Sequence, residues 1–345
     1  MPVTLKDVAE KVGRSITTVS RALHDYDDVS AETKTLVKQT AVEMGYTPSS
    51  LAQRLQKQQT DTIGLVLPTF GPRFSDPFFS ELLAGIGNKA AEMGYDLLVS
   101  TQPPGEQELD AYKKLVDSRR VDGFIIVRTR RKDTRIDYLL DRGVPFTVFG
   151  RTDKPVNFPL VDEDGNYGMR LIAEHLVRQG HSRIACIAPD PEMAFSTQTL
   201  NGLRTGLARY GVKLSDEYIR IGDLTHASGY EQGSILLDLP VPPTAIVACN
   251  DLMAFGAMSA VQERDLVVGS DIAITGFDDT PMAEHSHPPL TTVNQPVHII
   301  GGMVCEMLIK LIKNEAIEDK QIILKPSLVI RQSCGCLPEK RQKVS

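Results

Sequence analysis

The hydrophobic positions of the first 45 residues follow helical spacing. Apolar side chains recur every three or four positions from Leu5 to Val12 and stop at Gly13, a residue type that commonly ends helices. A second helical pattern follows Ser15 and a third follows Ser30, and serine at these positions can accept a hydrogen bond from a free amide of the first turn. The pattern therefore predicts a small head of three short helices.

Beyond residue 60, short apolar runs alternate with amphipathic helical segments. The runs are short and continuously apolar, which is typical of strands buried on both faces of a parallel sheet. Nine segments have this character: 62–68, 95–101, 121–128, 145–150, 159–164, 182–189, 218–223, 244–250 and 272–279. Because the strand–helix rhythm runs through the chain twice, we expect two doubly wound sheets side by side.

Composition and charge place the chain in an ordinary globular class. It has 345 residues, a formal net charge of −6 and five scattered cysteines. Residues 1–60 hold eight Lys/Arg and seven Asp/Glu, so the acidity belongs to the remainder, which holds 30 and 37. No run of about 18 apolar residues is present to cross a bilayer, and Asp7 and Glu10 fall where a signal segment would need apolar residues. We expect a cytoplasmic protein with no membrane partner.

Motifs of common enzyme classes are missing from the sequence. No G-x-G-x-x-G follows the strand at 62–68, and neither G-x-S-x-G nor a P-loop occurs. Cys334 and Cys336 are separated by one residue instead of the two that are usual in zinc or redox pairs. The sequence predicts neither an enzyme nor a metal or cofactor site.

The second helix of the head has a polar face. A helix, a tight turn with glycine and a second helix form the helix-turn-helix arrangement, whose second helix enters the major groove of DNA. Its residues outside the core are small hydroxyl side chains, Ile16 and one guanidinium, Arg21, which suit contacts with base edges and phosphates. The alternative is a plain three-helix bundle with a polar surface.

Polar and aromatic side chains follow the strands of the body. In doubly wound sheets, ligands lie beyond the carboxyl ends of the strands. Carboxylates and amides there can bind the hydroxyls of a sugar, while phenyl rings cover its apolar face. The alternative is that each Asp caps the following helix. The side chains at these positions are Asp76, Phe78, Phe79, Arg128, Asp164, Asn250, Asp251, Asp278, Asp279 and Gln295.

The segment "VTLKDVAEKVGRSITTVSRALHDYDDVSAETKTLVKQTAVEMGYTPSSLAQRL" closely resembles the DNA-binding head of the LacI/GalR family of bacterial transcription factors. The resemblance implies that Ile16 and Thr17 select operator bases and that Arg21 makes a groove or backbone contact. It also implies that the segment after Pro48 is a hinge helix, whose Leu55 wedges into the minor groove when two copies pair on DNA. The DNA-contacting set expected from this is Thr4, Leu5, Ser15, Ile16, Thr17, Thr18, Ser20, Arg21, Leu51, Ala52 and Leu55.

The same resemblance extends over the body to about residue 337. It implies the two-lobed periplasmic-binding-protein fold with an effector bound between the lobes, contacted by Phe78, Asp164, Asn250, Asp278 and Gln295. One position departs from the family pattern, since "TLNGL" has a threonine where a pocket arginine is usual. We include Thr199 in the site and expect Arg128 to supply the missing positive charge across the cleft. The expected ligand-binding set is Asp76, Phe78, Phe79, Arg128, Asp164, Thr199, Asn250, Asp251, Asp278 and Gln295.

The predicted architecture is a small all-α helix-turn-helix head plus an α/β periplasmic-binding-protein-like body of two doubly wound parallel-sheet lobes. The head is expected at 1–47, the hinge helix and linker at 48–60, the body at 61–338 and a polar tail at 339–345. Lobe 1 is expected to comprise about 61–160 and 292–321, and lobe 2 about 161–291 and 322–338. The tail is too short and polar for a heptad helix, so a homodimer is favoured over a tetramer.

The predicted function is a repressor of carbohydrate genes, released from a pseudo-palindromic operator in double-stranded DNA by a sugar. The loop "VRTRRKDTRIDYLL" resembles a branch of the family associated with α-glucosides. Two alternatives remain open. One is a corepressor-type regulator, whose ligand, such as a purine, strengthens DNA binding. The other is a solute-binding protein for transport.

Overall fold

The computed structural model describes residues 3–46, 59–69, 76–153 and 158–335. The predicted hinge residues Leu51, Ala52 and Leu55 lie outside these ranges, as do Cys336 and the polar tail. The chain divides into two compact units, Met1–Thr60 and Asp61–Ser345.

The first unit contains the three predicted helices, α1 (Leu5–Val12), α2 (Ile16–Leu23) and α3 (Ala31–Glu43). The predicted N-caps are confirmed, because Ser15 Oγ accepts a hydrogen bond from the amide of Thr18 and Ser30 Oγ accepts one from the amide of Thr33. Gly13 ends α1 in the left-handed conformation, with φ of 68°. The buried core of the head consists of Val8, Ala9, Val19, Ala22, Val37 and Ala41.

The second unit contains two six-stranded sheets. The first has the strand order β11-β5-β4-β3-β1-β2 and is parallel throughout. Its strands are β1 (Thr62–Pro68), β2 (Asp96–Gln102), β3 (Gly123–Ile126), β4 (Phe146–Phe149), β5 (Leu160–Glu163) and β11 (Gln321–Leu324). The second has the order β12-β10-β9-β8-β6-β7, in which only the β10–β12 pair is antiparallel. Its strands are β6 (Ile184–Pro189), β7 (Ile219–Gly222), β8 (Ala245–Ala248), β9 (Ala273–Asp278), β10 (Thr291–Asn294) and β12 (Ser327–Val329).

Helices connect the strands of both sheets, as the alternating pattern predicts. Around the first sheet they are α4 (Pro77–Glu92), α5 (Glu106–Asp117), α6 (Thr134–Asp141) and α12 (Val297–Ile312). Around the second they are α7 (Gly165–Arg178), α8 (Ala194–Ala208), α9 (His226–Leu237), α10 (Asp251–Gln262) and the short α11 (Pro281–His285). None of the helices in the described ranges combines the length and apolar character that a membrane span needs.

The chain changes from one sheet to the other at slightly different places from those expected. β5 and β11 pair along their whole length within the first sheet, and β10 pairs along its whole length within the second. The changes therefore come after residues 163, 294 and 324, where the sequence placed them near 161, 291 and 322. Each change of sheet lies within two or three residues of the approximate position expected from the sequence.

Two helices of the first lobe pack so closely that a side chain is excluded between them. A Cβ atom on Gly85 of α4 would lie 2.1 Å from the carbonyl oxygen of His298 on α12. Glycine at 85 therefore permits the contact between α4 and α12. This packing positions Phe78, in the first turn of α4, at the carboxyl edge of the sheet.

Candidate functional site

A cavity lies between the two sheets of the body, at the carboxyl ends of their strands. This is the place where doubly wound sheets bind ligands. The described residues that line it come from both lobes: Phe78, Arg128, Thr129, Phe149, Gly150, Asp162, Glu163, Phe195, Thr199, Leu224, Cys249, Asn250, Phe277, Asp278 and Gln295.

The structure brings six of the ten predicted ligand-binding residues together in this lining: Phe78, Arg128, Thr199, Asn250, Asp278 and Gln295. Asn250 also caps α10, accepting a hydrogen bond from the amide of Met253, and donates to the carbonyl of Leu224. Gln295 donates a 2.8 Å hydrogen bond to Asp278. Several polar groups of the cavity are thus already held in place by the chain itself.

The other four predicted residues lie outside the lining, and two of them support Arg128. Asp76 caps α4 through the amide of Phe78 and forms an ion pair with Arg128. The buried ring of Phe79 lies with its centroid 4.9 Å from the guanidinium carbon of Arg128. Asp76 and Phe79 therefore hold the side chain of Arg128, which lines the cavity.

The remaining two make structural hydrogen bonds. Asp164 caps α7 by accepting a hydrogen bond from the amide of Tyr167, which is the capping alternative left open by the sequence. Asp251 is completely buried beneath the cavity and accepts hydrogen bonds from the hydroxyls of Thr280 and Thr292. Burial raises the pKa of Asp251 to about 7.

Two cavity residues have unusual backbone conformations. Arg128 has φ of 49° and Asp278 has φ of 125°, a region that side chains other than glycine rarely adopt. Arg128 lies two residues after the end of β3 and Asp278 is the last residue of β9, so both conformations occur at the edge of a sheet. Such strain tends to be kept at binding sites, where the surrounding structure holds it.

Two adjacent carboxyl groups at the end of β5 were missed by the sequence analysis. Asp162 and Glu163 both line the cavity, and Asp162 forms an ion pair with Arg151. Burial, followed by the charge of Asp162, raises the pKa of Glu163 well above its ordinary range. Burial also raises the pKa of Asp278 well above its usual value, and the nearby Asp251 adds to the effect. The acidic run "VDED" at 161–164 indicated carboxyl groups at this strand end, but only its last residue, Asp164, was predicted to bind ligand.

Aromatic rings form much of the apolar lining. Phe78 and Phe149 stack with their ring centroids 5.8 Å apart and their planes at 22°. Phe195 and Phe277 line the cavity from the other lobe, and of these four rings only Phe78 was predicted. Carboxyls and amides beside phenyl faces can hold a ligand that has both hydroxyl groups and an apolar ring face.

In the head, α2 presents an exposed row of the predicted DNA-contacting residues. Ile16 is 49% exposed, an unusual position for an isoleucine, and Thr17 is also exposed. Arg21 is exposed and forms an ion pair with Asp28. These three side chains are free of the core and can face a groove of DNA.

Other predicted residues of the head have local structural roles. Thr4 caps α1 together with Asp7, whose carboxylate accepts hydrogen bonds from the amide and hydroxyl of Thr4, and these bonds lower the pKa of Asp7. Leu5 packs against the core, and Ser20 is half-buried. Ser15 and Thr18 share a 2.8 Å hydroxyl–hydroxyl hydrogen bond.

Comparison with known proteins identifies both units. Residues 4–49 match the family described as bacterial regulatory proteins, lacI family, and residues 173–334 match the periplasmic binding protein-like domain. The transcriptional regulator AglR of Rhizobium meliloti (strain 1021) is 35% identical over 99% of this chain and 96% of its own. The chain belongs to the LacI family. The repressor CytR of Escherichia coli (strain K12) is another member, 34% identical over 97% of both chains.

Solved structures of LacI-family proteins have the same fold. The lac repressor dimer bound to operator and the anti-inducer ONPF matches with a TM-score of 0.84 and 31% identity, over 97% of this chain and 99% of that one. The complex of the regulator CelR with cellobiose matches with a TM-score of 0.75 and 30% identity, over 96% and 99%. The predicted fold class is confirmed.

Membership of the LacI family decides between the alternatives for the head. The chain is a DNA-binding transcriptional regulator with a helix-turn-helix head, as the sequence predicted, and the plain helical bundle is excluded. The family consists of transcriptional regulators, not of enzymes.

Proposed function

We propose that this LacI-family regulator represses genes of carbohydrate uptake or catabolism and is released from its operator by a sugar bound in the cavity of the body. The observation that carries the proposal is the lining itself, where carboxyl and amide groups from both lobes lie beside four phenyl rings. This combination suits a polyhydroxylated ring, which needs hydrogen-bond partners at its rim and apolar contact on its faces. The protein has no catalytic activity in this proposal and acts in the cytoplasm.

The expected mechanism couples the cavity to the DNA-binding heads through a homodimer. Two heads dock on the two halves of a pseudo-palindromic operator, and two hinge helices at 48–60 pair over its centre. A sugar acts only if it favours one arrangement of the lobes over another. By linkage, operator DNA must then weaken sugar binding by the same factor.

An α-glucoside or a related oligosaccharide is the effector that we favour. The support for an α-glucoside is the resemblance of the loop at 127–140 to the α-glucoside branch of the family. The relative CelR, whose structure contains the β-linked disaccharide cellobiose, supports a glucose disaccharide but not the α linkage. The ligand-contacting residues proposed are the six predicted ones that line the cavity, joined by Asp162, Glu163 and the three further phenylalanines.

A corepressor-type regulator is the second candidate. The stacked rings of Phe78 and Phe149 offer a flat surface on which a purine could pack, and ligand binding would then strengthen operator binding. The same hinge and cavity serve both mechanisms, so the sign of the coupling separates them.

Fluorescence anisotropy with an operator selected from random DNA tests both candidates. Full-length protein at half-saturation is titrated with mono- and disaccharides and, separately, with purines. Release by a sugar supports the proposal, whereas tighter binding with a purine supports the corepressor. If neither class of ligand alters operator affinity, the proposed induction is wrong.

A further inference from the structure

One oxygen of a cavity carboxyl lacks a hydrogen-bond donor among the residues that the structure describes. Glu163 is the last residue of β5, is 8% exposed and lines the cavity. Its Oε2 atom is buried and accepts no hydrogen bond from any donor that the structure describes, and the adjacent carboxyl of Asp162 can pair with Glu163 only by sharing a proton with it. A buried polar atom without a partner costs free energy, on the order of 1–3 kcal/mol. A ligand group that supplies the missing bond would therefore bind favourably.

Thr199 lies close to Glu163 in the folded protein but does not donate a hydrogen bond to its free oxygen. A Cβ atom on Gly165 would lie 3.4 Å from Thr199 Cγ2 and 3.8 Å from Glu163 Oε1, so the threonine methyl and the carboxyl flank the same point. The hydroxyl of Thr199 is directed to its own helix, where it donates to the carbonyls of Phe195 and Ser196 at 3.1 and 3.0 Å. The chain thus presents a methyl group on this side.

The described part of the cavity lining offers no unpaired cation to an anionic ligand. Among the described residues that line it, Arg128 carries the single positive charge, and Asp76 forms an ion pair with it. Asp278 adds its carboxyl to that of Glu163 and accepts a hydrogen bond from the neutral side-chain amide of Gln295. An anion placed here would lose its hydration in a buried site where the described lining residues offer it no free counter-charge.

We propose that Glu163 is a specificity-determining residue of the effector cavity: its unpaired oxygen forms a hydrogen bond with a hydroxyl of an uncharged saccharide, and phosphorylated sugars are excluded. This inference rests on the proposed response to a sugar and adds that the sugar is uncharged. The raised pKa of Glu163 agrees with it, because a hydroxyl both donates and accepts and can pair with the carboxyl in either protonation state.

Isothermal titration calorimetry on the full-length protein tests the inference. The uncharged probes are glucose, methyl α-glucoside, maltose, cellobiose and trehalose, and the anionic probes are glucose 6-phosphate and trehalose 6-phosphate. At least one uncharged probe should bind, and each phosphate should bind at least about tenfold more weakly than its parent sugar, the loss expected for about 1.4 kcal/mol of unfavourable interaction.

Variants of Glu163 separate recognition from structure. Glu163→Met keeps the volume but removes both oxygens, and we expect it to weaken the best uncharged probe by about tenfold or more. Glu163→Gln keeps an oxygen acceptor and an amide donor and should remain within about threefold of wild type, on the scale of a neutral hydrogen bond. The control is Glu217→Gln, an exposed residue of lobe 2 that should leave every Kd unchanged.

If Glu163→Met does not fold, Thr199→Arg decides the matter. A guanidinium beside the carboxyl should occupy the unpaired oxygen, weaken the uncharged probe and admit the phosphates. The inference is overturned if no uncharged probe binds, if a phosphate binds as tightly as its parent sugar, or if the tested Glu163 or Thr199 variants bind like wild type. Operator binding by the same preparations reports separately on the regulator function, which survives each of these outcomes.

Discussion

The backbone amide of Ala194 donates a 3.0 Å hydrogen bond to the carbonyl of Thr129, and this bond joins the two lobes of the body. Next to it, the amide of Arg131 donates a 3.0 Å hydrogen bond to the carbonyl of Glu192. The loop after β3 thus meets the start of α8 in a short antiparallel bridge at the rim of the cavity. Since the cavity is lined by both lobes, we expect a ligand that contacts both of them to favour the arrangement in which these bonds form.

Ala194→Pro is expected to weaken saccharide binding by about two- to tenfold, the value of one hydrogen bond. Ala194 is the first residue of α8, where proline fits a helix, and the preceding Met193 is already extended, with ψ of 129°. The substitution therefore removes the bond to Thr129 without breaking the helix. Titration calorimetry measures the change. The control is Thr134→Pro, which places a proline at the exposed first residue of α6. Equal effects of the two substitutions would contradict a role for the Ala194–Thr129 hydrogen bond in ligand binding.

Much of this fold follows from local pattern, but the bridge between the lobes does not. The strands and the caps Ser15 and Ser30 were predictable because apolar spacing and capping involve neighbours along the chain. Thr129 and Ala194 are far apart in sequence, and no periodicity indicates that their backbones meet. Glu163 was missed for a related reason. In "VDED", three acidic residues follow one another, and only the packing of the second lobe determines which of them faces the cavity.

The loop after β3, residues 127–133, is held in place by a buried cluster of charged side chains. Local sequence pattern does not predict this cluster either. Arg135 is 1% exposed and binds Glu108 and Asp133, and it donates to the carbonyls of Val127 and Arg128. The guanidinium lowers the pKa of Asp133 against the opposing effect of burial. A run of basic residues usually faces water, and the buried Arg135 departs from that expectation.

Arg135→Met is expected to lower the free energy of unfolding by about 3–5 kcal/mol, because it removes the cation paired with the buried Asp133 and leaves Glu108 only its ion pair with Arg130. Urea denaturation of the full chain measures the change. Arg142→Met is the matched control, since Arg142 pairs with Asp117 on the surface and should cost less than about 1 kcal/mol. Similar losses for both variants would show that the buried cluster contributes no more than a surface pair.

Ile16→Ala is expected to weaken operator binding about tenfold or more with little change in the stability of the head, since its side chain is exposed and a good base contact contributes about 1–3 kcal/mol. Val19→Ala, three residues along the same helix, removes a fully buried side chain and should destabilise the head by on the order of 2 kcal/mol. Anisotropy and thermal unfolding on both variants separate the two roles. Lower stability for Ile16→Ala would place Ile16 in the core.

Leu55→Ala is expected to reduce operator affinity more than the loss of any single surface lysine, such as Lys6→Ala. The reason is that residues 1–60 have a net charge of only +1, so we expect tight binding to come from bending the DNA with an inserted apolar side chain. The salt dependence of binding provides a second measurement, because a lysine substitution lowers its slope and Leu55→Ala does not. Equal losses for the two variants would argue against wedging by Leu55.

The stability of the body is expected to fall as the pH rises from about 4 to about 7, through Asp251. Its pKa is raised from 3.8 to about 7 in the folded protein, so the folded state binds the proton more tightly than the unfolded state does. The contribution is therefore favourable below pH 4 and is lost as the pH rises through that interval. Asp251→Asn removes this titration and also the charge that raises the pKa of Asp278, so its unfolding free energy should depend less on pH. Urea denaturation at several values between pH 4.5 and pH 7.5 compares the two proteins, and parallel profiles would contradict the assignment.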